Sequence, residues 1–146
     1  MLKGSLPELF LDTDVAFDIL SKREPHFHHS VQLLELAAKD KAALLIAESS
    51  LANLIYLSMD IYKLSNTEKR LLDFISACDV ISGGKPIMLR ALSSTFTDKE
   101  DALQYHTALN HGADYFITRN NSDYRNSSER LPVMTPAEFV ALSRMK

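Results

Sequence analysis

The sequence predicts a three-layer α/β/α sandwich around a mainly parallel sheet of about five strands. Three observations carry that expectation. Short apolar runs recur along the chain, each continuous rather than alternating, as befits strands covered on both faces. Segments with apolar residues at helical spacing lie between them. No internal repeat, low-complexity stretch or linker interrupts the 146 residues, which are therefore expected to form one domain from 1 to 146.

The first run, Leu9-Phe10-Leu11, ends in Asp12-Thr13-Asp14, where Asp14 is placed to cap a helix carrying Val15, Phe17, Ile19 and Leu20. A helix is expected over His26 to Lys39, from Val31, Leu34 and Ala38, and then a strand at Ala43-Leu44-Leu45-Ile46. Ser49 and Ser50 open a helix with Leu51, Leu54, Ile55 and Leu57. Ser65 with Glu68 reads as a capping box ahead of Leu71, Leu72, Phe74 and Ile75. Val80-Ile81 is a short strand stopped by Gly83-Gly84, and Lys85 to Ser94 a helix that admits Pro86 in its first turn. Thr97 with Glu100 reads as a second capping box, and Gly112 closes that helix. Tyr115-Phe116-Ile117 and Leu131-Pro132-Val133-Met134 are the last strands, the proline marking an edge. Thr135-Pro136-Ala137-Glu138 opens the final helix.

Composition narrows function. With 16 Lys+Arg against 19 Asp+Glu, the formal charge is -3, which argues against a broad basic surface coating nucleic acid. The one cysteine, Cys78, excludes a disulfide framework and a multi-cysteine zinc site, and reads as a buried small residue. The apolar runs are too short to span a bilayer and no secretory signal opens the chain, so a cytoplasmic protein is expected.

In parallel sheets, ligands gather beyond the carboxyl ends of the strands. The first strand delivers Asp12 and Asp14 there, and the fourth delivers Thr118, Arg119, Asn120 and Asp123. Asp98 and Asp101 share one helix face, while Glu48 and Asn53 flank the start of the helix after strand two. Carboxylates about 4 Å apart repel by roughly 4 kcal/mol at an effective dielectric near 20. A hard divalent cation such as Mg²⁺ or Mn²⁺ removes that cost and can activate water for attack on phosphate. Helix capping and first-turn acids account for the same residues without any metal.

The motifs resemble the PIN-domain family. Leu9 to Val15 is similar to its opening strand, and Phe96 to Gln104 to its third acidic segment. Gly112 to Tyr124 is similar to its fourth, with Thr118-Arg119-Asn120 and the pair Asp123-Tyr124. Leu131 to Phe139 resembles its closing strand and helix. The resemblance implies a Mg²⁺- or Mn²⁺-dependent endoribonuclease, similar to the toxin (VapC-like) of type II toxin–antitoxin pairs, with an antitoxin partner and a homodimeric state. It implies Asp12, Asp101 and Asp123 as metal ligands, Asp98 and Asn120 as accessory ones, and Thr118 orienting a ligand or water. Arg119, Lys99 and Lys85 are candidate phosphate contacts.

One departure stands out: Asn53 occupies the place of the second-segment acid, removing a charge, with Glu48 five residues earlier. A catalytically degenerate RNA-binding or protein-interaction module is the alternative. Asp12-Thr13-Asp14 also has the Asp-x-Asp form of haloacid-dehalogenase phosphatases, but no acidic pair follows the fourth strand. His106 and the cluster His26, His28 and His29 read as packed or surface histidines.

Overall fold

The computed structural model describes residues 6–124 and 130–145, with the backbone alone at Asp123. Five strands form one sheet: β1 (Glu8–Leu11), β2 (Ala43–Ala47), β3 (Cys78–Ile81), β4 (Tyr115–Ile117) and β5 (Val133–Met134). Their order is β3-β2-β1-β4-β5, and every pairing is parallel. Leu9 therefore lies between Leu44 and Tyr115, and Phe10 between Leu45 and Phe116.

Seven α-helices connect the strands among the described residues: α1 (Thr13–Ser21), α2 (Phe27–Ala38), α3 (Glu48–Tyr56), α4 (Thr67–Ser76), α5 (Gly84–Leu92), α6 (Lys99–His111) and α7 (Pro136–Arg144). Side chains alternate across each strand, so one sheet builds two cores. Leu9, Leu11, Leu44, Ile46 and Ile117 pack with Val15, Leu33, Leu54, Phe74 and Phe139, from helices α1, α2, α3, α4 and α7. Phe10, Leu45 and Phe116 pack on the other face with Ala91, Ala102, Tyr105 and Ala108 from α5 and α6. Both faces of β1 are sealed, which is why its run is uniformly apolar. Each such Leu or Phe contributes about 1.5–3 kcal/mol when fully buried.

Several helix starts differ from the sequence expectation. The cap of α4 is Asn66, at φ 52°, not Ser65; asparagine tolerates this left-handed geometry, and no side chain caps the helix. At α6 the cap is Asp98, whose Oδ1 accepts from the Asp101 N–H at 3.0 Å, not Thr97. Glu48 lies inside the first turn of α3, and Asp14 inside that of α1 rather than capping it. Leu57–Ile61 continues α3 as a π-helical turn, which no local sequence signal marked. The expected capping box of α7 is present, with Thr135 Oγ1 accepting from the Glu138 N–H and Glu138 Oε1 from the Thr135 N–H. Gly112, at φ 88°, ends α6 as expected. Cys78 is half-buried rather than buried, and its surroundings push the thiol up to about 12, so it stays protonated.

From β1 the chain passes to β2 and β3 on one side, then returns to place β4 and β5 on the other. A crevice opens where such an order reverses, beyond the carboxyl ends of β1 and β4. Asp12 and Thr118 stand there.

Candidate active site

The Asp12 backbone is extended at the end of β1, and its N–H donates to the Ile117 carbonyl at 2.9 Å. It occupies the N-cap position of α1, where an aspartate ordinarily turns its carboxylate back onto the helix. Here it makes no hydrogen bond of full capping geometry, though the Asp14 N–H still stabilises the carboxylate. Three side-chain donors face it as well. Oδ1 accepts from Gln104 Nε2 at 3.1 Å; Oδ2 accepts from Thr118 Oγ1 at 2.7 Å and from the Tyr124 hydroxyl at 3.3 Å.

Asp12 is only 5% exposed. Burial pushes its carboxyl above the ordinary value and the Asp14 charge adds to that push, while Thr118, Gln104 and the Asp14 N–H oppose it. All the hydrogen-bond donors are neutral. Among the described residues no cationic side chain forms an ion pair with Asp12.

The Tyr124 hydroxyl is shared between Asp12 and Asp101. Burial first, then the two carboxylate charges, hold it far above the ordinary tyrosine range, so it remains a proton donor. Its ring packs on Phe116 at 4.7 Å between centroids, and on Phe96 and Tyr105. The aromatic cluster beneath thus fixes a polar atom above.

Gln104, 2% exposed, closes the other side. Its Oε1 accepts from the Thr13 N–H at 2.9 Å, and lies 3.1 Å from Thr13 Oγ1 and 3.4 Å from Ser50 Oγ. Helices α1, α3 and α6 therefore meet at one amide. Sequence reading missed both Gln104 and Tyr124. The acid-aromatic pair Asp123-Tyr124 pointed near the second; nothing local marked the first.

The remaining candidates are spread around this centre. Asn53 Nδ2 donates to Glu100 Oε1 at 3.1 Å, so the neutral side chain of α3 faces a carboxylate of α6. Asp98 is engaged as the α6 cap. Thr118 Oγ1 accepts from the Asn120 N–H at 3.3 Å. Asp123 lies in the 3-10 turn Asn121–Tyr124, and its side chain is outside the described residues. Arg119 pairs with fully buried Asp18 at 2.8 Å and lies 3.9 Å from Asp14. Lys99 Nζ donates to the Ser94 carbonyl, Lys85 is exposed, and Glu48 is exposed. His106 sits edge-on to Phe96 and Tyr105, and burial lowers its pKa.

The donors near Asp12 are hard oxygens, suited to Mg²⁺ or Mn²⁺ rather than zinc. Among the described residues no three His, Cys, Asp or Glu side chains come together to enclose a metal ion. Mg²⁺ does not need such a cage: it keeps several waters and is held by one or two carboxylates. Asp12 and Asp101, linked through one hydroxyl, fit that mode. A cleft of about 720 Å³ lies away from these acids, where Pro7, Lys41 and Tyr115 line it together with α2 and α7.

Comparison with known proteins gives the family. A search of curated proteins finds no match. Among solved structures, the chain is similar to a toxin–antitoxin complex from Klebsiella pneumoniae (20% identity, TM-score 0.64, covering 88% of this chain and 97% of that one). It is also similar to DNA-bound VapBC from Salmonella typhimurium (17% identity, TM-score 0.67, covering 90% and 99%). A third is PAE2754 from Pyrobaculum aerophilum (11% identity, TM-score 0.68, covering 98% and 100%). At such identities the likeness is one of fold. The PIN-domain family model matches residues 8–122, from the first residue of β1 to the turn after β4. The chain belongs to the PIN-domain family.

Proposed function

We propose that this protein is a metal-dependent ribonuclease of the PIN type, acting as the toxin of a toxin–antitoxin pair. One observation carries the reading: Asp12 is a carboxylate buried at the sheet switch point and met only by neutral donors. A charge so placed costs several kcal/mol unless a cation balances it. Asp12 and Asp101 are the residues that would hold Mg²⁺ or Mn²⁺, and Asp123, Asp98, Asn120 and Asn53 are the further oxygen-bearing candidates. When bound, the ion supplies charge stabilisation at phosphate and a more acidic water.

The protein's own part is positional. Thr118 fixes one Asp12 oxygen and Gln104 the other, so the carboxylate is set before substrate arrives. Tyr124 keeps its proton and holds Asp12 and Asp101 in one arrangement. Lys85 and Lys99 are the basic side chains proposed to meet the RNA backbone. Arg119 can reach it with the outer part of a guanidinium whose Nε is engaged by Asp18.

Exposed apolar side chains on the π-turn and on α5, Met59, Ile61, Tyr62, Met88, Leu89 and Leu92, support docking of an antitoxin or a second copy. The test is cleavage of single-stranded RNA with Mn²⁺ by the wild type, Asp12→Asn and Asp101→Asn. A loss of at least about a hundredfold in each variant is expected; equal rates in all three overturn the assignment. The second reading, an inert PIN fold used for binding, is favoured by the Asn53–Glu100 contact, which engages the residue standing in the place of an acid. Calorimetry separates them: no heat at millimolar Mn²⁺ supports the inert fold.

A further inference from the structure

We infer that Gln104 is a positioning residue, which ties one oxygen of the Asp12 carboxylate to the first turn of α1 and so fixes its direction in the site. The inference rests on the metal-dependent reading above. It starts from two needs that meet at one position. Asp12 stands at the N-cap of α1, and the first N–H groups of that helix need acceptors. The Asp14 N–H stabilises the Asp12 carboxylate, but an N-cap side chain does not serve the Thr13 N–H before it.

Gln104 meets both needs from α6. Its Oε1 accepts from the Thr13 N–H at 2.9 Å, serving the first residue of α1. Its Nε2 then donates to Asp12 Oδ1 at 3.1 Å, fixing that oxygen in place. The orientation of this amide is not open to choice. A backbone N–H can only donate, so the oxygen must face Thr13 and the NH₂ must face Asp12. Flipping it would set oxygen against carboxylate and NH₂ against N–H. The Thr13 and Ser50 hydroxyls lie around the same oxygen, so the side chain is pinned by contacts from three elements in a site nearly closed to solvent.

Asparagine, one methylene shorter, cannot span Thr13 and Asp12 together; methionine fills the volume and offers neither hydrogen bond. In both, Asp12 Oδ1 loses its fixed partner and the carboxylate is free to turn. The experiment is a Mn²⁺ titration by calorimetry, alongside RNA cleavage, on wild type, Gln104→Met, Gln104→Asn and Asp12→Asn. Far-UV circular dichroism checks that each is folded, and Gln104→Asn serves where the methionine variant does not fold. The expected result is Mn²⁺ binding weakened about tenfold to a hundredfold in the Gln104 variants, the range for residues that orient a ligand. Cleavage should fall in step at low Mn²⁺ and recover as Mn²⁺ is raised, a recovery that packing damage alone does not produce. Wild-type Mn²⁺ affinity in a folded Gln104 variant, with binding lost in Asp12→Asn, overturns this inference and leaves the nuclease reading standing. Wild-type affinity in Asp12→Asn overturns both.

Discussion

Two buried aspartates, six residues apart, are treated in opposite ways. Asp18, in the middle of α1, is fully buried and held between two guanidiniums, Arg119 at 2.8 Å and Arg23 at 3.1 Å. Asp12, at the end of β1, is nearly as buried and meets an amide, a hydroxyl and a phenol. The first charge has two cationic partners inside the protein, which oppose the upward push of burial on its carboxyl, and it belongs to the architecture. The second is oriented but not balanced. Burial alone therefore does not mark a functional acid; the character of the partners does.

The largest expected effect falls on the balanced acid. Asp18→Asn leaves two guanidiniums facing a neutral group. Both arginines keep some access to water, so the cost should sit at the low end for a broken buried pair, about 3 kcal/mol, or roughly 10 °C in melting temperature. A thermal melt within about 2 °C of wild type would break the comparison, because Asp18 would then need no balancing.

Asp12 has no cationic partner to leave behind, and its pH dependence is the way to test it. Burial raises its carboxyl above its ordinary value, so between that value and the raised one the folded chain binds more protons than the unfolded chain. The stability contributed is complete below about pH 4 and is lost as pH rises through the folded value. Asp12→Asn removes this titration. Without added metal, its stability relative to wild type should grow from pH 4 to pH 7 in urea unfolding. A gap that stays constant across that range would mean Asp12 is not desolvated.

Tyr124→Phe is the smallest of the three. It removes one donor shared by Asp12 and Asp101 while keeping the ring on Phe116. A loss of about 1 kcal/mol is expected by urea unfolding, since Thr118 and Gln104 still hold Asp12. A loss above about 3 kcal/mol would show that the hydroxyl, not the donor pair, sets the carboxylate.

How much of this was legible in the sequence depends on distance along the chain. The strands of β1, β2 and β4 follow from uninterrupted apolar runs, and the α7 capping box from four adjacent residues. Asp12 and Thr118 were readable because strand ends can be counted locally. The caps at α4 and α6 were misplaced by one residue, since Ser65 and Thr97 are good caps in isolation and the backbone chose Asn66 and Asp98. Gln104 sits among apolar positions of α6 and no local pattern singles it out; only the arrival of α1 and α3 gives it partners. The Asp18–Arg119 pair likewise joins α1 to the end of β4, and no spacing rule predicts it.

The central place of β1 has a consequence for biogenesis. Its partners are β2 and β4, and the hydrogen bond from Thr118 to Asp12 closes a separation of 106 residues. Contacts so remote in sequence form late, after the entropy of a long loop has been lost. A nascent chain halted between the end of β2 and Tyr115 holds Asp12 but neither Thr118 nor Tyr124, and its β1 has one open edge. The acidic centre is thus assembled only when synthesis is nearly finished. A partly made chain carries an exposed strand that invites aggregation, but it does not carry the site.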